Sequence, residues 1–400
     1  MRVGITTFYQ SNDNYGQLLQ GYALQAVLLG LGHKPFTIRY GFHQRYPQLR
    51  RKERRRIFWR ERLEALFPFM KRRQPDSNGE YCATEGRKGD RGFDEFRERH
   101  LRFSVLTYNS LRDVRRYPPF AGCYVTGSDQ VWAQLLTYED HQIFFLDFGS
   151  RRTMRISYAP SFALEKYPAD LMPKLSEQLS HFDAISVREQ EGVEICREAG
   201  FDAELVLDPT LLLTKEQYEP LMRESAAKMP SGFSFVYQVN VASPEELLWD
   251  SFRSYNQARG YNTIAVHANG TSDAEMEFLD GAEYAYPNIQ EWLCYISSSE
   301  YVLTSSFHGM AFAIIFHKPF AVCLRKSSMF AGNGRILTLL KALGLESRIA
   351  AVDKDVAQVL EAEIDWQAVD ARLEKLRANS LDYLVGALAG KTKNNKVTGK

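Results

Sequence analysis

The chain has 400 residues, 44% of them hydrophobic and 25% charged, with a formal net charge of +1. This is the composition of a folded protein too long for one hydrophobic core, without the global positive charge that draws a chain to nucleic acid. The five cysteines (Cys82, Cys123, Cys196, Cys294 and Cys323) are scattered and form no CxxC pair, which argues against a zinc site or a disulfide framework and for reduced thiols in a cytosol.

Short β-branched and aromatic runs alternate with helix-period stretches, the pattern of parallel sheets built from βαβ units. Arg2–Phe8 reads as a first strand, not as a secretory h-region. Leu18, Leu19, Tyr22, Ala26 and Leu29 then keep helical spacing, with Asn14 as cap and Gly30 and Gly32 at the end. Further strands are predicted at Pro35–Tyr40, Gly122–Ser128, Arg155–Ala159, Ala184–Arg188 and Glu204–Leu207. In the second half, strands at Phe233–Val239, Thr263–His267, Tyr301–Ser305 and Phe320–Leu324 accompany helices at Gln290–Ser297, Gly309–His317 and Arg335–Leu343. One strand series ends and another begins between Pro209 and Pro230. The expected division is therefore a first domain over 1–212, a second over 213–390 with the C-terminal helices, and a disordered tail over 391–400. No run approaches the roughly 20 apolar residues needed to span a bilayer.

One segment departs from the rest. Between Arg45 and Arg73 there are 12 Lys/Arg against 3 Asp/Glu, interleaved with Ile57, Phe58, Trp59, Leu63, Leu66, Phe67, Phe69 and Met70. Two readings fit this insertion over about 45–90. It is a basic amphipathic helix lying on an anionic membrane surface, or a solvated helix whose apolar side packs on the domain. The polar run from Gln74 to Asp90 reads as a loop.

Several polar turns follow apolar strands, where chemistry gathers in open α/β sheets. Thr304-Ser305-Ser306-Phe307-His308-Gly309 ends a strand and opens a helix, which puts Ser306 near the N-cap and His308 in the first turn, close to backbone N–H groups suited to an anion. Imidazole gives or takes a proton near neutral pH; the alternative is a satisfied histidine under the sheet. Arg325 and Lys326 follow the next strand and are cleft cations or a solvated pair. Arg188 ends Ile185-Ser186-Val187 as an anion ligand, or as a salt bridge to Glu189 or a neighbour. Gly127-Ser128-Asp129-Gln130 binds sugar hydroxyls or caps the next helix. There is no GxGxxG after the first strand, no GxxxxGK[ST], no HExxH and no Gly-x-Ser-x-Gly. Dinucleotide, P-loop, zinc-protease and α/β-hydrolase readings drop away accordingly.

Taken together, these segments resemble the polysaccharide pyruvyl transferase family. The resemblance runs through Asn14-Tyr15-Gly16 with Leu19-Gln20-Gly21-Tyr22-Ala23-Leu24, then Gly127-Ser128-Asp129-Gln130-Val131-Trp132 and Ser157-Tyr158-Ala159-Pro160-Ser161. It continues through Ser186-Val187-Arg188-Glu189 and Leu207-Asp208-Pro209-Thr210 to Thr304–Gly309 and Lys318-Pro319-Phe320. It implies a GT-B-like fold, two Rossmann-like domains facing each other across a cleft. It also implies transfer of pyruvate from phosphoenolpyruvate onto two hydroxyls of a sugar, giving a cyclic ketal on a bacterial-type polysaccharide or a lipid-linked glycan precursor.

By this resemblance His308 and Arg188 are catalytic, and Ser306, Gly309, Arg325 and Lys326 bind the donor. Asn14, Tyr15, Gly16, Gln20, Ser128, Asp129 and Gln130 bind the acceptor. No metal or cofactor is implied, and the place is the cytoplasm or the inner face of the membrane. Some members carry Arg two residues before the histidine; Ser306 stands there, so the anion must be gripped from neighbouring loops. The alternatives are a GT-B glycosyltransferase using a nucleotide sugar and a non-catalytic carbohydrate-binding protein on the same fold.

Overall fold

A computed structural model describes residues 1–41, 49–66, 91–133, 139–268, 273–325, 332–351 and 356–391. Cys82, Lys326, the loop from Gln74, both flanks of the basic helix and the tail beyond Lys391 lie outside the described residues.

Two parallel sheets organise the chain. The first contains β1 (Arg2–Thr6), β2 (Lys34–Tyr40), β3 (Phe103–Tyr108), β4 (Cys123–Thr126) and β5 (Met154–Ser157), in the order β3-β2-β1-β4-β5. Beyond β5 a bridge from Ile156 to Ala184 leads to the short pair β6 (Ser186–Val187) and β7 (Glu204–Leu205). The second sheet contains β8 (Phe233–Gln238), β9 (Asn262–His267), β10 (Glu283–Tyr284), β11 (Val302–Thr304), β12 (Phe320–Cys323) and β13 (Ile349–Ala350), in the order β10-β9-β8-β11-β12-β13. Each sheet grows outward on one side of its first strand and then crosses to the other side. The strand order reverses between β1 and β4 and again between β8 and β11, as in doubly wound Rossmann-like folds.

The helices of the first half are α1 (Tyr15–Gly30), α2 (Arg51–Leu66), α3 (Phe93–His100), α4 (Leu111–Arg116), α5 (Met172–Leu179), α6 (Gln190–Glu198) and α7 (Lys215–Met222). Those of the second are α8 (Trp249–Arg259), α9 (Asp273–Met276), α10 (Ile289–Ser298), α11 (Phe307–Ile315), α12 (Gly334–Leu343), α13 (Val356–Glu361) and α14 (Trp366–Leu388). With helices on both faces, the central strands are buried throughout: every residue of β4 and of β8 is buried, including the polar Thr126, Ser234 and Gln238. β3 alternates buried and half-buried residues, as an edge strand does, and sequence periodicity missed it. The predicted strands at Ala184–Arg188 and Glu204–Leu207 shrink to two residues each, paired with one another and tied to β5 only by the single Ile156–Ala184 bridge.

The two sheets are joined through a continuous core. Val3, Ile5, Leu18 and Leu19 share one apolar cluster with Tyr237, Trp292 and Phe312. Helix α1 is wedged between the units, which explains why even its glutamines Gln20 and Gln25 are buried. At its start the Tyr15 ring stacks on Trp292 at 5.1 Å, and its hydroxyl donates to the Pro287 carbonyl at 2.6 Å. At the far end of the chain α14 reaches back to the first sheet. There the Tyr383 hydroxyl donates to the Ser157 carbonyl at 2.9 Å, and the Leu207 N–H donates to Ser380 Oγ at 3.0 Å.

The basic segment contributes α2, which packs its inner side on the first unit through Ile57 and Phe58. Arg54 is buried there, 3.3 Å from Asp113, with its guanidinium 5.3 Å from the Tyr117 ring centre. Glu61, also buried, takes Arg2 at 3.2 Å. Among the described residues no helix is long and apolar enough to cross a membrane.

Candidate active site

The site forms where both strand orders reverse. A cleft pocket of about 140 Å³ is lined from the first unit by Phe8, Asn14, Gln17, Asp129 and Gln130. The second unit lines it with Val239, Asn240, Ser305, Ser306, His308, Arg325 and Arg335. Phe8 and Asp129 follow β1 and β4; Val239, Ser305 and Arg325 follow β8, β11 and β12. These are carboxyl ends of strands at the two switch points, the place an open α/β sheet leaves for a ligand.

Local chemistry builds the histidine turn. The buried strand Val302–Thr304 ends with Thr304 Oγ1 donating to the Tyr237 carbonyl at 2.7 Å and accepting from the Ser306 N–H at 3.0 Å. Ser306 is the N-cap of α11, its hydroxyl accepting from the Gly309 N–H at 3.4 Å. A Cβ on Gly309 would press on Thr304, so a glycine is needed there for packing. His308 sits in the first turn, 7% exposed. Its ring root lies against α1: a Cβ built on Gly16 would sit 2.6 Å from His308 Cβ and closer still to the ring. Helix α1 can therefore approach the histidine turn only with glycine at this position.

Among the described residues His308 Nε2 is shut off from solvent without a hydrogen-bond partner, and it lies 3.7 Å from Asp208 Oδ2. Asp208, 1% exposed, is the hub of the site. Its Oδ2 accepts from Ser128 Oγ at 2.6 Å and from Arg188 Nη1 at 2.7 Å. Its Oδ1 accepts from the Thr210 N–H at 3.0 Å and from the Thr210 hydroxyl at 2.7 Å. Burial alone would push this carboxyl up. The neighbouring His308 ring, the Arg188 charge and the Ser128 hydroxyl outweigh burial and hold it well below the usual carboxylate range. Asp208 stands in the Leu207–Thr210 segment, whose sequence gave it no role; the signal was a lone Asp between an apolar strand end and a proline.

Arg188 is anchored by this hub. Its side chain is 1% exposed, bonded to Asp208, 3.4 Å from Asp129 Oδ1, and with its guanidinium 5.1 Å from the Phe307 ring centre. Of the expected salt-bridge alternatives, Glu189 or a neighbour, the structure shows the neighbour, Asp208. The Glu189 carboxylate instead accepts from the Phe162 N–H at 2.7 Å. Arg188 also does not line the pocket; Asp129 does. Asp129 has φ +80°, a left-handed conformation outside the usual range for a side-chain-bearing residue, and its carboxylate accepts from the Gln130 N–H at 2.8 Å.

The other arginines are different in kind. Arg325 follows β12 and Arg335 lies in the first turn of α12; both line the pocket. Neither has a direct carboxylate partner among the described residues, and Nε of each, like that of Arg188, is shut off from solvent without a hydrogen-bond partner. With the Gln130 amide oxygen turned toward it, Arg335 donates to that oxygen. Burial, with the charges of Arg188 and Arg325, pushes Arg335 down to about 9, which still leaves it protonated at neutral pH. Gly332, at φ +63°, lets Gln130, Arg325 and Arg335 converge, since a Cβ there would lie 2.7 Å from Gln130 Nε2 and 3.2 Å from each guanidinium. The helix start at Arg335 was legible in the sequence, but its turn into the cleft was not.

The remaining candidates divide by position. Asn14 caps α1, accepting from the Gln17 N–H at 3.2 Å, and faces the pocket with Gln130. Tyr15, Gly16 and Gln20 do not line the pocket. Tyr15 is in the inter-unit core, Gly16 lies against His308, and Gln20 Nε2 donates to Thr7 Oγ1 at 2.9 Å and to the Phe8 carbonyl at 3.2 Å. Ser128 is fully buried beneath Asp129 and serves Asp208. Phe8, edge-on to Phe144 at 5.1 Å, adds an aromatic wall that sequence reasoning missed. Among the described residues no group of three or more His, Cys, Asp or Glu is placed to hold a metal ion.

A family model described as polysaccharide pyruvyl transferase matches residues 14–327. No curated protein matches the chain. Among solved structures, the chain is similar to S. aureus MnaA in its UDP co-structure, at 10% identity over 100% of both chains with a TM-score of 0.49. It is also similar to UDP-N-acetylglucosamine 2-epimerase from Rickettsia bellii, at 11% identity over 96% of this chain and 98% of that one, TM-score 0.49. A further likeness is to an α-glucosyltransferase in complex with UDP and a DNA 13-mer, at 9% identity over 98% and 93%, TM-score 0.46.

Proposed function

The chain belongs to the polysaccharide pyruvyl transferase family, and from that premise we propose that it transfers pyruvate from phosphoenolpyruvate onto two hydroxyls of a sugar to form a cyclic ketal. The observation that carries this reading is the set His308, Arg325 and Arg335 around one pocket, two of them cations whose Nε atoms have no partner among the described residues. Phosphoenolpyruvate carries a carboxylate and a phosphate, and forked guanidinium groups suit both.

In this reading Arg325 and Arg335 hold the donor's anionic groups. His308, as imidazolium, donates a proton to the methylene carbon of phosphoenolpyruvate, making C2 electron-poor. One sugar hydroxyl adds to C2 and loses its proton. The C2–O bond to phosphate then breaks, and phosphate leaves with the bond's electron pair. The second hydroxyl adds to C2, loses its proton and closes the ketal. Asp208, 3.7 Å from Nε2, stabilises the protonated ring, and Arg188 keeps Asp208 in place. Asn14, Asp129, Gln130 and the wall of Phe8 face the acceptor from the first unit. Lys326, outside the described residues, remains a candidate for the donor's second anion. The acceptor is a saccharide of a polysaccharide or of a lipid-linked precursor, handled in the cytoplasm.

The test is His308→Ala. Phosphate release from phosphoenolpyruvate in the presence of a galactose, mannose or N-acetylhexosamine acceptor should fall by ~10²–10⁴, with the circular dichroism spectrum unchanged. Turnover near that of the wild type would remove His308 from the chemistry.

A further inference from the structure

Helix α2 has two faces, and the described fold uses only one. Arg54, Ile57, Phe58 and Glu61, spaced as one helical stripe, turn inward. Lys52, the adjacent Arg55 and Arg56, Trp59 and Leu63 lie along the opposite stripe, one turn after another, and all are exposed. Arg51 and Arg60 flank it, also exposed. Trp59 is 54% exposed and Leu63 45%, an uncommon state for two large apolar side chains next to each other on a helix. The cations and the apolar pair therefore need a partner that is anionic at its surface and apolar just beneath it.

We propose that this outer stripe docks the enzyme on an anionic lipid bilayer, with α2 lying in the plane of the interface. A helix of 16 residues spans about 24 Å, so the stripe presents its cations to several headgroups while Trp59 and Leu63 enter the acyl boundary. Tryptophan is the side chain that favours this depth. A soluble polyanion such as a nucleic acid or an acidic polysaccharide would use the cations and leave Leu63 in water. This inference is independent of the reaction above, since no residue of the stripe lines the cleft.

The experiment is co-sedimentation of the full chain with phosphatidylcholine vesicles, with and without phosphatidylglycerol. Binding is expected only with the anionic lipid and should weaken as salt rises. The triple variant Lys52→Glu/Arg55→Glu/Arg56→Glu should bind about 100-fold less. Trp59→Ser/Leu63→Ser should bind about tenfold less at the same charge. Both variants alter only exposed side chains, so their melting temperatures should match the wild type. Equal binding to both vesicle types, or wild-type binding by either variant, would overturn the proposal. So would vesicle binding by wild type and Trp59→Ser/Leu63→Ser that single-stranded DNA displaces equally, which would mark the face as a polyanion site.

Discussion

Arg188 and Arg335 belong to the same cluster and are buried in opposite ways. Arg188 is charge-paired: Asp208 neutralises it, Asp129 lies within 3.4 Å, and it stays out of the pocket, although its Nε, like that of Arg335, has no hydrogen-bond partner among the described residues. Arg335 reaches the pocket, meets the charges of two other arginines and has a Gln130 amide as its described acceptor. The first arrangement is a structural ion pair, whose loss costs folding energy. The second lies among the charges of Arg188, Arg325, Asp129 and Glu189 without a direct carboxylate partner, and under the proposed function a bound anion would supply one, so its loss should cost binding instead.

The comparison breaks most readily at its hub. Asp208→Asn leaves the buried Arg188 only the more distant Asp129 carboxylate as counter-charge and should cost about 3 kcal/mol in a denaturant unfolding experiment. The sign with pH follows from the lowered folded-state value. The Asp208 contribution is complete above the ordinary carboxylate pKa of about 4 and is lost as pH falls through the lower value of the folded protein. The variant should lose that part of the acid dependence; an unchanged acid profile would show that Asp208 is not the stabilising group.

Arg335→Met tests the other half. It removes a charge that burial disfavours, so stability should hold or rise slightly, while affinity for phosphoenolpyruvate should drop about 10- to 100-fold, the worth of a charge-assisted hydrogen bond. A large loss of stability would place Arg335 with Arg188 instead. Gly16→Ala acts on both halves indirectly, by pushing the His308 ring away from its place between α1 and Asp208. It should cost about 1–3 kcal/mol of stability and a disproportionate share of kcat, since the ring root cannot move aside without shifting α11. A kcat equal to that of the wild type would show that the ring tolerates the shift.

The central strands, the α1 start and the histidine turn were legible because each is a local pattern: an apolar run, a cap, then a glycine. Ser306 and His308 fall where that pattern places them. What the sequence hides is convergence. Asp208 and Arg188 meet across 20 residues, and Arg335 meets Gln130 from the other unit. Spacing does not encode either meeting. That Tyr15 and Gln20 lie away from the pocket was hidden for a related reason. A polar turn before a helix looks the same whether the helix borders a cleft or is wedged between two units, and α1 does both. β3 went unseen because it follows the long basic crossover and is half-buried at the sheet edge.

The difference between the two arginines is tested most directly by titrating phosphoenolpyruvate into wild type, Arg188→Met and Arg335→Met by calorimetry, with unfolding curves run on the same samples. The expected result is a separation: Arg335→Met keeps its stability and loses donor binding, whereas Arg188→Met loses stability. Wild-type donor affinity in Arg335→Met would contradict the assignment of Arg335 to the donor's anionic groups.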